Sequence, residues 1–470
     1  MRLFARVLAG LLVLVVLLTI AFFAIGGMTM IRAFRGPRLP PTASILTPAT
    51  DLSYFRQAVL DNERGPNPTQ FEKFKALLDQ SPPPRTEDEL SLMASAALAT
   101  FDNAHSTLTE PKMHRLLIRL HWVADGLIVV KAAPAAAALL GHKITSIGGR
   151  PPNELLKGAE RFIGGGTPGW VRYRSEYFLT APVALRAMGA TIENHLTTID
   201  SVDEQGIAGS IALAADAQIV PGDTFREWEN SLPGDTHFKT DGWLTLLKTD
   251  QSLPLYQSDP SRLYLLRDLP EQDATYVRMS GSVDSKQETA AQFTARTAAM
   301  LREQPRKNII VDFRNNWGGS YILSLPLVKA IVQSSSPASR LYLIIGPNTF
   351  SAGLIAAAQL KHYAADRLTI VGEDVGDTLR FRSEGFLVTL PATQIEAYIP
   401  TAWDDVGGGC GLLDDCWPPN KFLLSGVGTL APDIRVQNTW ASYREGRDLE
   451  VEAIFVDVAR KGQQITQIDK

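Results

Sequence analysis

The sequence predicts an α/β protein preceded by a helical region and a mainly β insert. Three observations carry that prediction. From about residue 255 strand-like and helical segments alternate, the pattern of a mainly parallel sheet covered by helices. The runs NIIVDF and LYLIIG are nearly continuous in apolar residues, as strands buried on both faces are. Upstream, helix-period segments give way near His121 to short strand-like runs broken by Gly and Pro, which reads as a different kind of module.

Taken in order, the chain opens with MRLFARVLAGLLVLVVLLTIAFFAIGG, which carries no charge between Arg6 and Arg32. At about 1.5 Å per helical residue such a run crosses a hydrocarbon core of about 30 Å. It exceeds the roughly 7 to 15 apolar residues of a cleavable signal, and Ala24-Ile25-Gly26 is its one weak cleavage site. An uncleaved anchor is expected. Arg2 and Arg6 balance Arg32, Arg35 and Arg38, so charge leaves the orientation open. After prolines 37 to 41, three helical patterns follow: DLSYFRQAVLDN, NPTQFEKFKALLDQ and TEDELSLMASAALATF. The last opens with Thr86 and Glu89 at capping-box spacing. GLIVV, HKITSIGGRPP and IAGSIALAA then read as strands. DATYVRM, NIIVDFR, LYLIIG and DRLTIVGE are the strands of the alternating region; QETAAQFTARTAAMLREQ, SYILSLPLVKAIVQS and the segment after Ser351 are its helices. These divide the chain into residues 1–39 (anchor and flanks), 40–120 (helical), 121–250 (β module) and 251–470 (core).

Composition bounds the function. The chain has 470 residues, 45% of them apolar, and a formal net charge of −4. That is room for more than one core, and without a dense Lys/Arg stripe there is no electrostatic footprint for nucleic acid. No phosphate-binding loop, zinc motif or dinucleotide fingerprint occurs, so no cofactor and no metal are expected. The acidic stretch WDDVGGGCGLLDDC does not have the spacing of an EF-hand and reads as a solvated loop. Its Cys410 and Cys416, the two cysteines of the chain, are close enough for a disulfide, which would place the loop in an oxidising compartment; two free thiols are the alternative.

Ser351 lies where LYLIIGPNTF turns into an alanine-rich helix. A hydroxyl there stands at the carboxyl edge of the sheet with a helix amino terminus behind it. The N–H of Ala352 can then face an oxygen that develops negative charge, and the bare backbone of Gly318 or Gly319 in DFRNNWGGS can supply a second donor. Singly, a serine in such a turn is more often a cap, and paired glycines more often a turn.

Together, DFRNNWGG, TFSAG, VGE, APDI and YREGRDLEVEAI resemble, in order and approximate spacing, the carboxyl-terminal-processing and tricorn-type serine peptidases, over roughly Phe101 to Ile454. The resemblance implies a crotonase-like ββα superhelical core, with PAAAALLGHKITSIGGRPPNELL as a PDZ-like module. It further implies a peptide or protein substrate cleaved by Ser351, with Ala352 and Gly318 or Gly319 forming the oxyanion hole. The lysine of the processing branch has no counterpart in VGEDVGDTL. FDNAHSTL resembles the histidine segment of the tricorn-like branch and implies His105 as general base. Where that branch has a glutamate before its final Pro-Asp motif, this chain has Ser425; Glu373, with Asp102 as a further candidate, is taken as the supporting carboxylate. The other six histidines are expected to be ordinary core or surface residues. The expectation is a membrane-anchored peptidase with its catalytic part in the periplasm or outside the cell, and the alternative an inactive peptide- or apolar-ligand-binding protein on the same scaffold.

Overall fold

A computed structural model describes residues 2–219, 224–233, 242–248 and 253–468. It is a mixed α/β molecule whose elements follow the expected alternation. The helix Arg2–Ala24 projects with its apolar side chains exposed, and its Arg6–Ala24 stretch is long and apolar enough to span a bilayer. Gly26, at φ 94°, turns the chain beside Pro418 into the helix Gly27–Arg35.

The helices Pro48–Asn62, Pro68–Gln80 and Glu87–Ala99 each start at a polar cap, Thr47, Asn67 and Thr86, whose side chain accepts the N–H three residues on. Thr86 accepts from Glu89 N–H at 3.2 Å. Their apolar faces meet around Phe55, Phe74, Leu90, Leu98 and Phe101. That core is completed by Val388, Ile395 and Ala397 from late in the chain. The strand Thr107–Glu110 pairs with Glu396–Ile399, itself paired with Phe386–Thr389. A buried ion pair between Glu63 and Arg382, and Asp51 accepting from the amides of Ala392 and Thr393, tie the same regions together. The helical region is thus built into the core.

A seven-stranded antiparallel sheet spans Ile118–Val123 to Leu244–Thr245, beginning slightly before the expected boundary. Three helices, Pro152–Ala159, Pro168–Phe178 and Pro182–Ala187, interrupt it where the sequence had suggested little but strands. Each carries proline at its first turn, where the missing N–H costs nothing.

The central sheet has six strands in the order Ile434–Arg435, Leu368–Gly372, Arg340–Ile345, Asn308–Asp312, Ala274–Met279, Tyr264–Leu269. All neighbours pair in parallel except the Tyr264–Leu269 edge. Helices Ala290–Glu303, Tyr321–Ser334 and Ala352–Ala364 bury one face, around Phe293, Val328 and Ile355. Leu449–Ile468 covers the other through Val451 and Ile454. Register pairs Asp312 with Ile344 and Ile345 with Gly372, so the loops after three adjacent strands open at one carboxyl edge.

Candidate active site

Ser351 sits on one of those loops, between the strand Arg340–Ile345 and the helix Ala352–Ala364. The loop is tightly held. Thr349 Oγ1 accepts from Gly346 N–H and donates to Phe313 O, and Phe350 N–H donates to Asn316 O at 3.0 Å. Between these anchors Ser351 adopts φ 51°, ψ −124°, outside the regions comfortable for a residue with a Cβ, at a cost of about 1–3 kcal/mol. Packing overcomes that cost: a Cβ on Gly353 would lie 2.1 Å from Asn316 O, so the helix can start this close only with glycine there.

The three expected oxyanion donors are in different states. Ala352 N–H, at the first helical position, has no acceptor among the described residues. Gly318 abuts the serine; a Cβ there would fall 2.7 Å from Ser351 Cβ and 3.2 Å from its Oγ. Its own N–H is engaged by Asn316 Oδ1 at 3.2 Å. Gly319, bridged to Ser282, keeps its N–H without an acceptor among the described residues.

His105 is brought to the same place from the other end of the chain. Its loop is locked onto the strand Arg380–Ser383, because Asn103 accepts from Arg382 N–H at 3.0 Å and donates to Arg382 O at 3.3 Å. The imidazole is buried, stacked 4.3 Å from Phe350 on one side and 5.2 Å from Phe381 on the other. Phe350 stacks in turn on Trp170 at 4.1 Å. The neighbour of Ser351 in the chain is therefore the platform on which His105 rests. Nδ1 lies 3.2 Å from Asp377 Oδ2. With that carboxylate ionised, Nδ1 carries the proton and donates, leaving the Nε2 lone pair free; Nε2 is buried without a partner. Ser351 Oγ likewise makes no hydrogen bond among the described residues, and none joins it to His105.

Asp377 accepts Thr378 N–H at 2.8 Å on its other oxygen. Burial raises its carboxyl above the ordinary range, partly offset by the hydrogen bond to His105. The carboxylate in contact with His105 is Asp377; Glu373, the expected supporting carboxylate, makes no hydrogen bond to the imidazole. Glu373 extends the pairing of its strand through N–H to Ile345 O, and its side chain borders a separate cavity with His121 and Arg172. Asp102 is exposed, at φ 50°. The one signal for Asp377 was its place in the acidic VGEDVGD loop.

Of the other histidines, His114 pairs with Asp88, His121 with Glu176 and His142 with Ser201. His195 has φ 64°, and His362 meets the Tyr363 ring edge to face. His237 lies outside the described residues. Cys410 and Cys416 form a disulfide.

No family model and no curated protein matches the chain. Solved structures do. The chain is similar to mature CPAF, a chlamydial serine protease, complexed with lactacystin, at TM-score 0.56 and 13% identity over 88% of this chain and 98% of that one. It is similar to mature CPAF itself at TM-score 0.55 and 13% identity, over 90% and 98%. The tricorn protease aligns at TM-score 0.39 and 12% identity, over 88% of this chain and 37% of that one. The chain shares its overall fold with CPAF.

Proposed function

We propose that the protein is a serine-type peptidase acting through Ser351 and His105, with Asp377 as the carboxylate that holds the histidine. One observation carries this reading: a buried imidazole, fixed at Nδ1 by Asp377 and stacked on Phe350, keeps an unused Nε2 lone pair beside the strained turn that presents Ser351. The likeness in fold to the serine protease CPAF supports it.

In this mechanism the Ser351 side chain turns to bring Oγ–H to His105 Nε2. Nε2 takes the proton as Oγ attacks the peptide carbonyl carbon. The oxyanion is received by the free amides of Ala352 and Gly319; Gly318 joins only if its N–H leaves Asn316. Each such donor is worth about 3 kcal/mol in the transition state. As the C–N bond breaks, the leaving amine takes the proton from Nε2, and water then hydrolyses the acyl-enzyme by the same route. Asp377 stabilises the imidazolium formed between the two transfers.

The wider reading is an enzyme anchored by Arg2–Ala24, with its catalytic part on the periplasmic or outer side, a crotonase-like core and a PDZ-like antiparallel sheet offering strand addition to a peptide. A fluorophosphonate probe tests the chemistry. The wild type should be labelled on Ser351, Ser351→Ala should not, and His105→Ala should react about 10²-fold or more slowly. A folded wild type inert to the probe and to peptide libraries would leave the binding-protein reading, which the absent Ser351–His105 bond and the occupied Gly318 amide favour.

A further inference from the structure

A cavity of 100 Å³ opens at the carboxyl edge of the central sheet and shares the 345–348 loop that leads to Ser351, while neither Ser351 nor His105 lines it. This edge is where parallel α/β sheets bind ligands. Part of its wall is saturated internally. Arg314 is paired with Asp312, Asp448 and Glu450, and His121 with Glu176.

Three other wall side chains have no hydrogen-bond or ion-pair partner among the described residues: the guanidinium of Arg172, the carboxylate of Glu373 and the amide of Gln437, although each is half-buried. Burial raises the Glu373 carboxyl, with Arg172 as the largest opposing influence; the two attract, yet no contact within 4.0 Å joins them. Opposite charges that line one cavity without closing into an ion pair leave both open to a ligand.

We propose that this cavity binds a free α-amino acid, its carboxylate on Arg172 and its ammonium on Glu373. The proposal is independent of the peptidase reading. A simple anion would meet Glu176, Glu373 and Glu450, and a simple cation Arg172 and Arg314; a zwitterion pairs with both signs and leaves neither unpaired. Size agrees. The space equals the liquid volume of roughly three waters at about 30 Å³ each, about the bulk of one small amino acid and too little for a longer peptide. Trp122, Trp228 and Tyr256 in the wall suit an apolar side chain. Arg172 and Glu373 also border a surface cleft flanked by the Asp374–Arg435 ion pair, so the charged end of the cavity is reachable from outside.

Calorimetric titration of the full-length protein with each proteinogenic L-amino acid, followed by the N-acetyl and amide derivatives of the best binder, decides the matter. At least one amino acid should bind saturably at millimolar concentration or below, and each single-charge derivative about ten-fold or more weakly, the order of one charge-assisted hydrogen bond. Arg172→Gln and Glu373→Gln should each lose a similar factor, and Arg172→Lys should recover part of it. Ser351→Ala should bind as the wild type does, which separates this site from the peptidase. The proposal is overturned if no amino acid binds, if the N-acetyl form binds equally well, or if affinity survives in both charge-neutral variants while their melting curves show them folded.

Discussion

Replacing Asp377 by Asn isolates the carboxylate that the geometry joins to His105. The substitution preserves shape, and the Thr378 N–H can still be accepted by the amide oxygen. What is lost is a negative charge 3.2 Å from Nδ1 and 2% exposed. When His105 takes the serine proton, that charge faces an imidazolium. At about 4 Å and an effective dielectric of about 20 the attraction is about 4 kcal/mol, which at 1.36 kcal/mol per decade corresponds to about 10³-fold in rate. The new amide also favours the imidazole tautomer with its proton on Nε2, the wrong one for a base. The assay is the second-order rate of fluorophosphonate labelling with a parallel melting curve. Burial disfavours the ionised Asp377, so Asp377→Asn should melt no lower than the wild type at neutral pH, and lost labelling cannot be put down to unfolding. Asp102→Asn, altering an exposed residue, should label within about two-fold of wild type. An Asp377→Asn protein that labels within about ten-fold of wild type would refute the assignment.

Gly318→Ala should combine a slower labelling rate with a stability loss of about 1–3 kcal/mol, because its Cβ would stand 2.7 Å from Ser351 Cβ at a φ of +116°; wild-type labelling in that variant would remove Gly318 from the site. Asp404 sets a pH dependence: burial raises its carboxyl from 3.8 to about 8, so the folded state favours the proton, and the stability it contributes is full below about pH 4 and lost as pH rises through 8. Melting temperatures of wild type and Asp404→Asn should therefore diverge upward from about pH 5 with the variant higher, and a pH-independent gap would contradict this. Opening the Cys410–Cys416 disulfide, whose sequence separation is 6, should cost about 2 kcal/mol by loop entropy, read as a lower denaturation midpoint in Cys410→Ser/Cys416→Ser; an unchanged midpoint would show that the loop is ordered without it.

Local signals were legible where the physics is local. The apolar span, the capped helices after Thr47, Asn67 and Thr86, and the alternating strands around NIIVDF and LYLIIG declare themselves through period and punctuation. The turn that holds Ser351 is legible too, since an apolar strand runs straight into a small-residue helix. The helices within 152–187 were hidden because each begins at a proline, and Pro and Gly in quick succession read equally well as loop. Asp377 was hidden for another reason. Its partner lies 272 positions away, three acids compete within the VGEDVGD loop, and only the path of the backbone after Gly372 decides which one turns toward His105. The free Arg172 and Glu373 were invisible for the same reason: a lack of partners is a property of the folded surroundings.

The aromatic column that runs from Trp170 through Phe350 and His105 to Phe381 also sets a schedule. Its members leave the ribosome in the order His105, Trp170, Phe350, Phe381, so the ring made first waits for the two between which it is held. Until Phe350 and Phe381 have been made the histidine has no platform, and a chain cut short before them has no means of introducing it to the serine. The setting of His105 is thus a product of long-range closure, reached only when the strand that carries Phe381 has folded back on the loop that holds the histidine.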